Sequence, residues 1–149
     1  MGGQGLSLKG RALRLLAARE HSRLELERKL ASHEQEAGEL ARVLDDLQTK
    51  GFINEQRVVD SVLHRRANQW GAQRLKQEMQ AKGIGAPALA EALGQLRATE
   101  LERARMVWRK KFGEPAGDLA ERAKQMRFLA SRGFDTETIY RVVAGSDRP

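Results

Sequence analysis

Glycine marks the end of most helices this chain can form. Gly51, Gly71, Gly83, Gly113, Gly133 and Gly145 each close a run rich in Ala, Leu, Glu, Lys, Arg and Gln. Those residues favour helix, and a glycine just past such a run ends it in a left-handed turn. Prolines occur only at Pro87, Pro115 and Pro149, so the runs between glycines are otherwise unbroken. No useful stretch alternates with period two, and the chain reads as all-α. Nine helices are expected, near 8–20, 23–32, 37–50, 55–69, 72–82, 87–97, 100–112, 119–132 and 137–144. Ser22-x-x-Glu25 and Thr99-x-x-Glu102 have the spacing of capping boxes, and Asn54, Asp118 and Thr136 are single caps.

A short helix buries one stripe and needs neighbours, so internal repetition is the next question. Leu30, Met79 and Leu129 stand 49 and 50 residues apart. In that register Leu40, Leu89 and Ile139 align, as do Ala41, Ala90 and Tyr140, then Val43, Ala92 and Val142, then Leu44, Leu93 and Val143. Between them the column Arg42, Glu91 and Arg141 is charged each time, as one helix face requires. Upstream, Leu13, Val62 and Phe112 align as well. The expected architecture is three tandem three-helix repeats forming an elongated, curved array. Its segments are a flexible N-terminus 1–7, repeats 8–53, 54–98 and 99–145, and a tail 146–149.

Residue chemistry argues against an enzyme. There is no cysteine, which removes disulfides, thiolate metal sites and Cys nucleophiles. His21, His33 and His64 are the only histidines, and none has a second imidazole or carboxylate at zinc-site spacing; they read as surface or capping residues. Ser22 reads as a helix cap, and Asp45-Asp46 as a solvated face with Asp46 in reach of Lys50. No phosphate-cradling glycine loop occurs. No catalytic residue, metal or cofactor is expected. The start Met1-Gly2-Gly3-Gln4-Gly5-Leu6 matches neither a secretory signal nor a myristoylation site, and no apolar run suffices for a membrane span. A cytoplasmic protein is expected, and a monomer, since there is no heptad seam.

What remains is charge. The formal net charge is +7, from 27 Lys+Arg against 20 Asp+Glu. Residues 1–60 balance at 10 and 10, while residues 61–149 hold 17 basic and 10 acidic side chains, so the whole excess lies in the later part. Residues 61–82 carry Arg65, Arg66, Arg74, Lys76 and Lys82 against Glu78, with Glu78 one turn before Lys82 as a helix pair. Trp70 follows the paired arginines and reads either as a stacking or anchoring surface or as a plug between helices. Residues 103–132 carry nine basic and three acidic side chains. There Trp108 and Phe112 read as core, and Arg109, Lys110 and Lys111 sweep the opposite face, with Lys124, Arg127 and Arg132 following. Such a field steers polyanions or an acidic protein surface toward the chain.

Residues Gly51-Phe52-Ile53-Asn54-Glu55-Gln56-Arg57, then Trp70-Gly71-Ala72-Gln73-Arg74-Leu75 through Lys82-Gly83-Ile84, resemble the second repeat of the bacterial RecX family. That family's pattern is a Gly-aromatic-Leu-Asn-acidic opening, then Gly-Tyr-Gly-Pro, Arg-Ile, Glu-Leu and Lys-Gly-Ile. The third repeat is similar through Phe112-Gly113-Glu114-Pro115 and the run Arg127 to Phe134, and the likeness spans about residues 8–145. Two departures stand out: Trp70-Gly71-Ala72 replaces Tyr-Gly-Pro, and the loop His33–Gly38 is longer and more acidic than the later turns.

The resemblance implies three three-helix repeats and a non-enzymatic regulator of the RecA recombinase. RecX-like proteins lie in the groove of the RecA filament on single-stranded DNA and block its extension or favour its disassembly. They thereby depress strand exchange, ATP hydrolysis and cleavage of the SOS repressor. The expected contacts are Arg65, Arg66, Trp70, Arg74, Lys76 and Lys82, with Arg109, Lys110, Lys111, Lys124, Arg127 and Arg132 as a second set. The competing expectations are a general single-stranded nucleic-acid binder with no dedicated protein partner, and a scaffold whose charge serves solvation.

Overall fold

The computed structural model describes residues 5–145; the expectations for residues 1–4 and 146–149 lie outside them. Eight α-helices and one short 3-10 turn make up the described chain: α1 Leu8–Ala18, α2 Arg23–Leu30, the turn Ala31–His33, α3 Glu39–Thr49, α4 Glu55–Arg66, α5 Ala72–Ala81, α6 Ala86–Lys111, α7 Leu119–Ser131 and α8 Thr136–Ala144.

Local chemistry sets most of the ends. Ser22 and Glu25 form a reciprocal capping box at α2, while Asn54 and Asp118 accept from the amides of Arg57 and Glu121 at 2.9 and 2.8 Å. At α8 the cap is Asp135, which accepts from Thr138 N at 2.8 Å, so Thr136 is the first helical residue rather than the cap. Gly71 also departs from expectation: its φ is −80°, and it opens α5 instead of closing α4.

The largest correction is in the middle of the chain. Two helices expected at 87–97 and 100–112 are one, the 26-residue α6. Thr99 makes no capping box; its hydroxyl donates back to the Leu96 carbonyl at 3.4 Å and accepts from Arg103 Nε at 3.1 Å, bonds that a continuing helix accommodates. Eight helices therefore supply nine helical segments, with α6 serving repeat two by its first half and repeat three by its second.

Three cores lie in chain order. The first holds Leu26, Leu30, Leu44 and Leu47, the second Val58, Val62, Leu75, Met79 and Leu93, and the third Ala104, Trp108, Leu129, Ile139 and Val143. The aligned Leu30, Met79 and Leu129 are all buried, as are Leu44, Leu93 and Val143. The column Ala41, Ala90 and Tyr140 is instead exposed each time, Tyr140 at 56%; it belongs to the outer face. His21 is a further correction, since it is 1% exposed. Lys29 Nζ lies 2.9 Å from its Nε2 and the Arg19 carbonyl 3.0 Å from its Nδ1. An ammonium only donates and a carbonyl only accepts, so the ring is neutral with its proton on Nδ1.

Repeats one and two meet through side chains. Lys82 reaches Glu25 at 3.2 Å, Arg57 reaches Glu20 at 2.8 Å, and Arg28 donates to the Ala81 carbonyl at 3.1 Å. Lys82 is therefore engaged by Glu25 across the junction, and the expected Glu78–Lys82 pair gives way to Glu78 with Arg66 at 3.0 Å.

Repeats two and three meet backbone to backbone. Gly71 N donates to the Arg132 carbonyl at 2.7 Å and Gln73 N to the Gly133 carbonyl at 3.1 Å. A Cβ on Gly71 would overlap the Gly133 carbonyl and Phe134 N, and one on Gly133, whose φ is +88°, would overlap Arg74.

Candidate partner-binding face

Trp70 sits where the two basic segments converge. The turn that follows α4 brings it to the seam, and Arg103 of α6 fixes that turn by donating to the carbonyls of Ala67 and Trp70 at 2.8 and 2.7 Å. The ring is half-buried against the second core. Arg74 of repeat two places its guanidinium 4.1 Å from the ring centroid, and Arg132 of repeat three places its own at 4.7 Å. Arg132 also lies 5.0 Å from the Phe128 ring, which Lys111 approaches at 5.4 Å. Cations over aromatic faces are attracted by the ring quadrupole, and here they hold three positive groups on one surface without neutralising them. Phe128 is fixed in turn by an edge-to-face contact with Phe112 at 5.4 Å.

Beneath the seam lies a buried polar cluster. Glu100 is 4% exposed and accepts from Ala72 N at 2.6 Å. Burial pushes its carboxyl above the usual range; the Ala72 amide and Arg103 oppose that shift, and the neighbouring Asp135 carboxyl adds to it. Here the departure from the resembled pattern gains a meaning, because a proline at position 72 would have no amide to give.

Beside Trp70 the surface opens into a groove of about 510 Å³, lined by Asn68 and Gln69, by Met106, Val107, Lys110 and Lys111 of α6, and by Phe128 and Arg132. No carboxylate lines it. Met106 is 55% exposed there.

The structure thus sorts the expected contacts. Trp70, Arg74, Arg132, Lys110 and Lys111 are brought together. Lys124 lies one turn before Phe128 on α7 and is exposed, which puts it on the groove side. Arg65 is exposed near the end of α4 with its Nε 3.3 Å from Ser61 Oγ, and Arg127 is exposed on α7 beside the groove-facing residues. Arg109 is exposed on α6 one turn after Met106; like Arg127 it flanks the groove without lining it. Lys76 lies about 200° around α5 from Arg74. Arg66 and Lys82 serve internal ion pairs; Arg66 Nε is buried and close to Glu78 without hydrogen-bond alignment. Sequence reasoning missed Met106, Val107 and Phe128 as surface partners of the cations, although Phe128 and Arg132 stand one turn apart.

Among the described residues no cluster of three His, Asp or Glu side chains suited to a metal is found, and no helix is long and apolar enough to cross a membrane.

Comparison with known proteins matches three family models to this chain: "RecX, first three-helix domain" over residues 9–47, the second such domain over 54–93 and the third over 98–143. A relative named "Regulatory protein RecX" from Leptothrix cholodnii is 54% identical over 142 residues, covering 95% of this chain and 90% of its own length. A second of that name from Ralstonia nicotianae is 46% identical over 144 residues, covering 97% and 91%. The crystal structure of RecX from Lactobacillus salivarius superposes with a TM-score of 0.76 at 19% identity, covering 94% of both chains, a likeness of fold.

Proposed function

Because the chain belongs to the RecX family of regulatory proteins, we propose that it regulates the RecA recombinase without catalysing a reaction, binding the RecA filament on single-stranded DNA and depressing its extension, strand exchange, ATP hydrolysis and SOS repressor cleavage. The observation that carries this reading is the Trp70 ring with Arg74 of repeat two and Arg132 of repeat three both against it, since this makes one basic face out of two repeats. The contacts are Trp70, Arg74, Lys110, Lys111 and Arg132, flanked by Arg65, Arg109, Lys124 and Arg127. Arg66 and Lys82 act from within the fold through Glu78 and Glu25, and Lys76 lies outside the main contact. A tandem array with one basic side fits the groove of a nucleoprotein helix, where it meets acidic protein surface and phosphate; such contacts weaken as salt rises. The protein works as a monomer in the cytoplasm.

The test is DNA-dependent ATP hydrolysis by a RecA filament at fixed salt, with and without this chain. The wild type should depress hydrolysis, and Lys110→Glu with Lys124→Glu, both at exposed positions, should relieve the effect while the helical content stays unchanged. Undiminished hydrolysis in the presence of a chain that binds bare single strands tightly would replace this reading with general nucleic-acid binding.

A further inference from the structure

We infer that the groove between α6 and α7 docks an acidic segment of the partner protein that carries an apolar anchor residue, and that it is a protein site rather than a track for DNA. The inference rests on the proposed regulatory role and names what that face holds.

The groove joins two kinds of surface. Its floor and wall offer Met106, 55% exposed, with half-buried Val107 and Phe128. Its rim carries Lys110, Lys111 and Arg132, with no carboxylate among the lining residues. A phosphodiester strand would use the rim and leave the thioether and valine without a match. It would also want open aromatic faces for its bases, whereas Trp70 is covered by Arg74 and Arg132, and Phe128 by Arg132 and Lys111. An acidic peptide satisfies both halves: one leucine, phenylalanine or methionine side chain fills the space beside Met106, and flanking carboxylates meet the cations. Methionine suits such a role because its unbranched, polarisable side chain adapts to what it receives. Asn68 and Gln69 at the far edge supply amide donors and acceptors for an extended backbone, and a volume of about 510 Å³ falls within the range of sites that enclose a side chain and its neighbours.

The site also reports on the fold around it. Asn68 and Gln69 come from repeat two, α7 from repeat three, and α6 runs through both. The groove therefore has its shape only while the Gly71–Gly133 seam is closed.

The test uses the full chain and two probes, the peptide acetyl-Glu-Asp-Leu-Phe-Asp-Glu-amide and a short oligothymidylate, each titrated by amide NMR. The peptide should shift the amides of residues 106–111 and 128–132 saturably. Replacing its Leu and Phe by Ser should weaken binding at least about tenfold, as should Met106→Asp in the chain, the cost of losing a central anchor. Met106 is mostly exposed, so the variant should retain wild-type helicity and thermal midpoint. In the RecA hydrolysis assay Met106→Asp should need at least about tenfold more protein for the same inhibition. A stronger, groove-centred response to oligothymidylate than to the peptide would overturn the inference, as would equal binding of the Ser-substituted peptide. Should Met106→Asp inhibit RecA as well as the wild type does, the groove assignment fails while the regulatory role stands. Should the wild type bind the peptide in the groove yet leave RecA unaffected, the regulatory role fails and the choice of partner falls with it.

Discussion

Replacing Gly71 by alanine isolates what the backbone seam contributes. Its φ of −80° and ψ of 169° suit alanine, so no conformational strain is introduced, and the substitution alone should stabilise by about 0.4–1 kcal/mol through the unfolded chain. Against this, the new methyl overlaps the Gly133 carbonyl and Phe134 N, which are backbone atoms and cannot rotate away. Overpacking of this kind costs about 1–3 kcal/mol. The hydrogen bonds from Gly71 N and Gln73 N to the facing strand of backbone are lost if the seam opens, at about 1 kcal/mol each. The net expectation is a loss of about 2–4 kcal/mol. Gly51 is the control: its φ is +84° with nothing within 4 Å of a Cβ, so alanine there introduces left-handed strain of about 1–2 kcal/mol, partly offset by the same unfolded-state gain. Gly133→Ala suffers both effects and should be the most destabilised. Urea unfolding gives the three losses, and the indole NMR resonance of Trp70 reports whether Arg132 has left the ring. Gly71→Ala should move that resonance in the native protein and Gly51→Ala should not. A Gly71→Ala protein as stable as Gly51→Ala, with the Trp70 resonance in place, would refute the closed seam.

The titrating groups make further predictions. Glu100 has a folded pKa raised chiefly by burial, so its contribution is full below its unfolded value of 4.5 and is lost as pH rises through the folded value. Glu100→Gln keeps an acceptor for Ala72 N and should flatten that decline in a pH series of urea midpoints. Glu100→Ala strands the amide and should cost about 1–3 kcal/mol at acid pH, a cost that shrinks as pH rises. Glu25 runs the other way: burial works to raise its pKa, but Arg19, the Ser22 amide and Lys82 hold it at about 2. Its stabilisation is present above 4.5 and lost as pH falls toward about 2. His21 is held below 6.5 mainly by burial, and its contribution is likewise lost in acid. Repeat one should therefore open first on acidification, seen as early hydrogen exchange in α1 and α2, and Glu25→Gln should abolish most of that lead. Finally, Lys82→Ala should lower stability at the first junction while leaving the salt dependence of filament binding intact, whereas Lys110→Ala should reduce the salt slope and leave stability unchanged.

The caps show how far local chemistry reads through. Ser22, Asn54 and Asp118 act within three residues of themselves, so sequence suffices to place them. At Thr99 the local signal was ambiguous, because the same hydroxyl that caps a helix start also bonds a carbonyl one turn back. What keeps α6 continuous is distant: Glu100 binds Ala72, and Arg103 binds the carbonyls of Ala67 and Trp70 as well as Leu96.

The candidate face divides in the same way. Composition and order place the excess positive charge in repeats two and three, and the recurrence of Leu30, Met79 and Leu129 implies three units, because charge count and side-chain period are properties of the chain itself. Which cations are taken up internally was decided by packing: Lys82 is drawn to Glu25, 57 residues away, whereas Arg74 is held on the open face by the Ser131 carbonyl, at the same separation. The joining of two basic segments into one face likewise needed the glycine-to-glycine approach of residues 71 and 133. Attraction between groups that far apart in sequence exists only after packing has set their distance, so it is the tertiary structure that makes a site out of a surplus of charge.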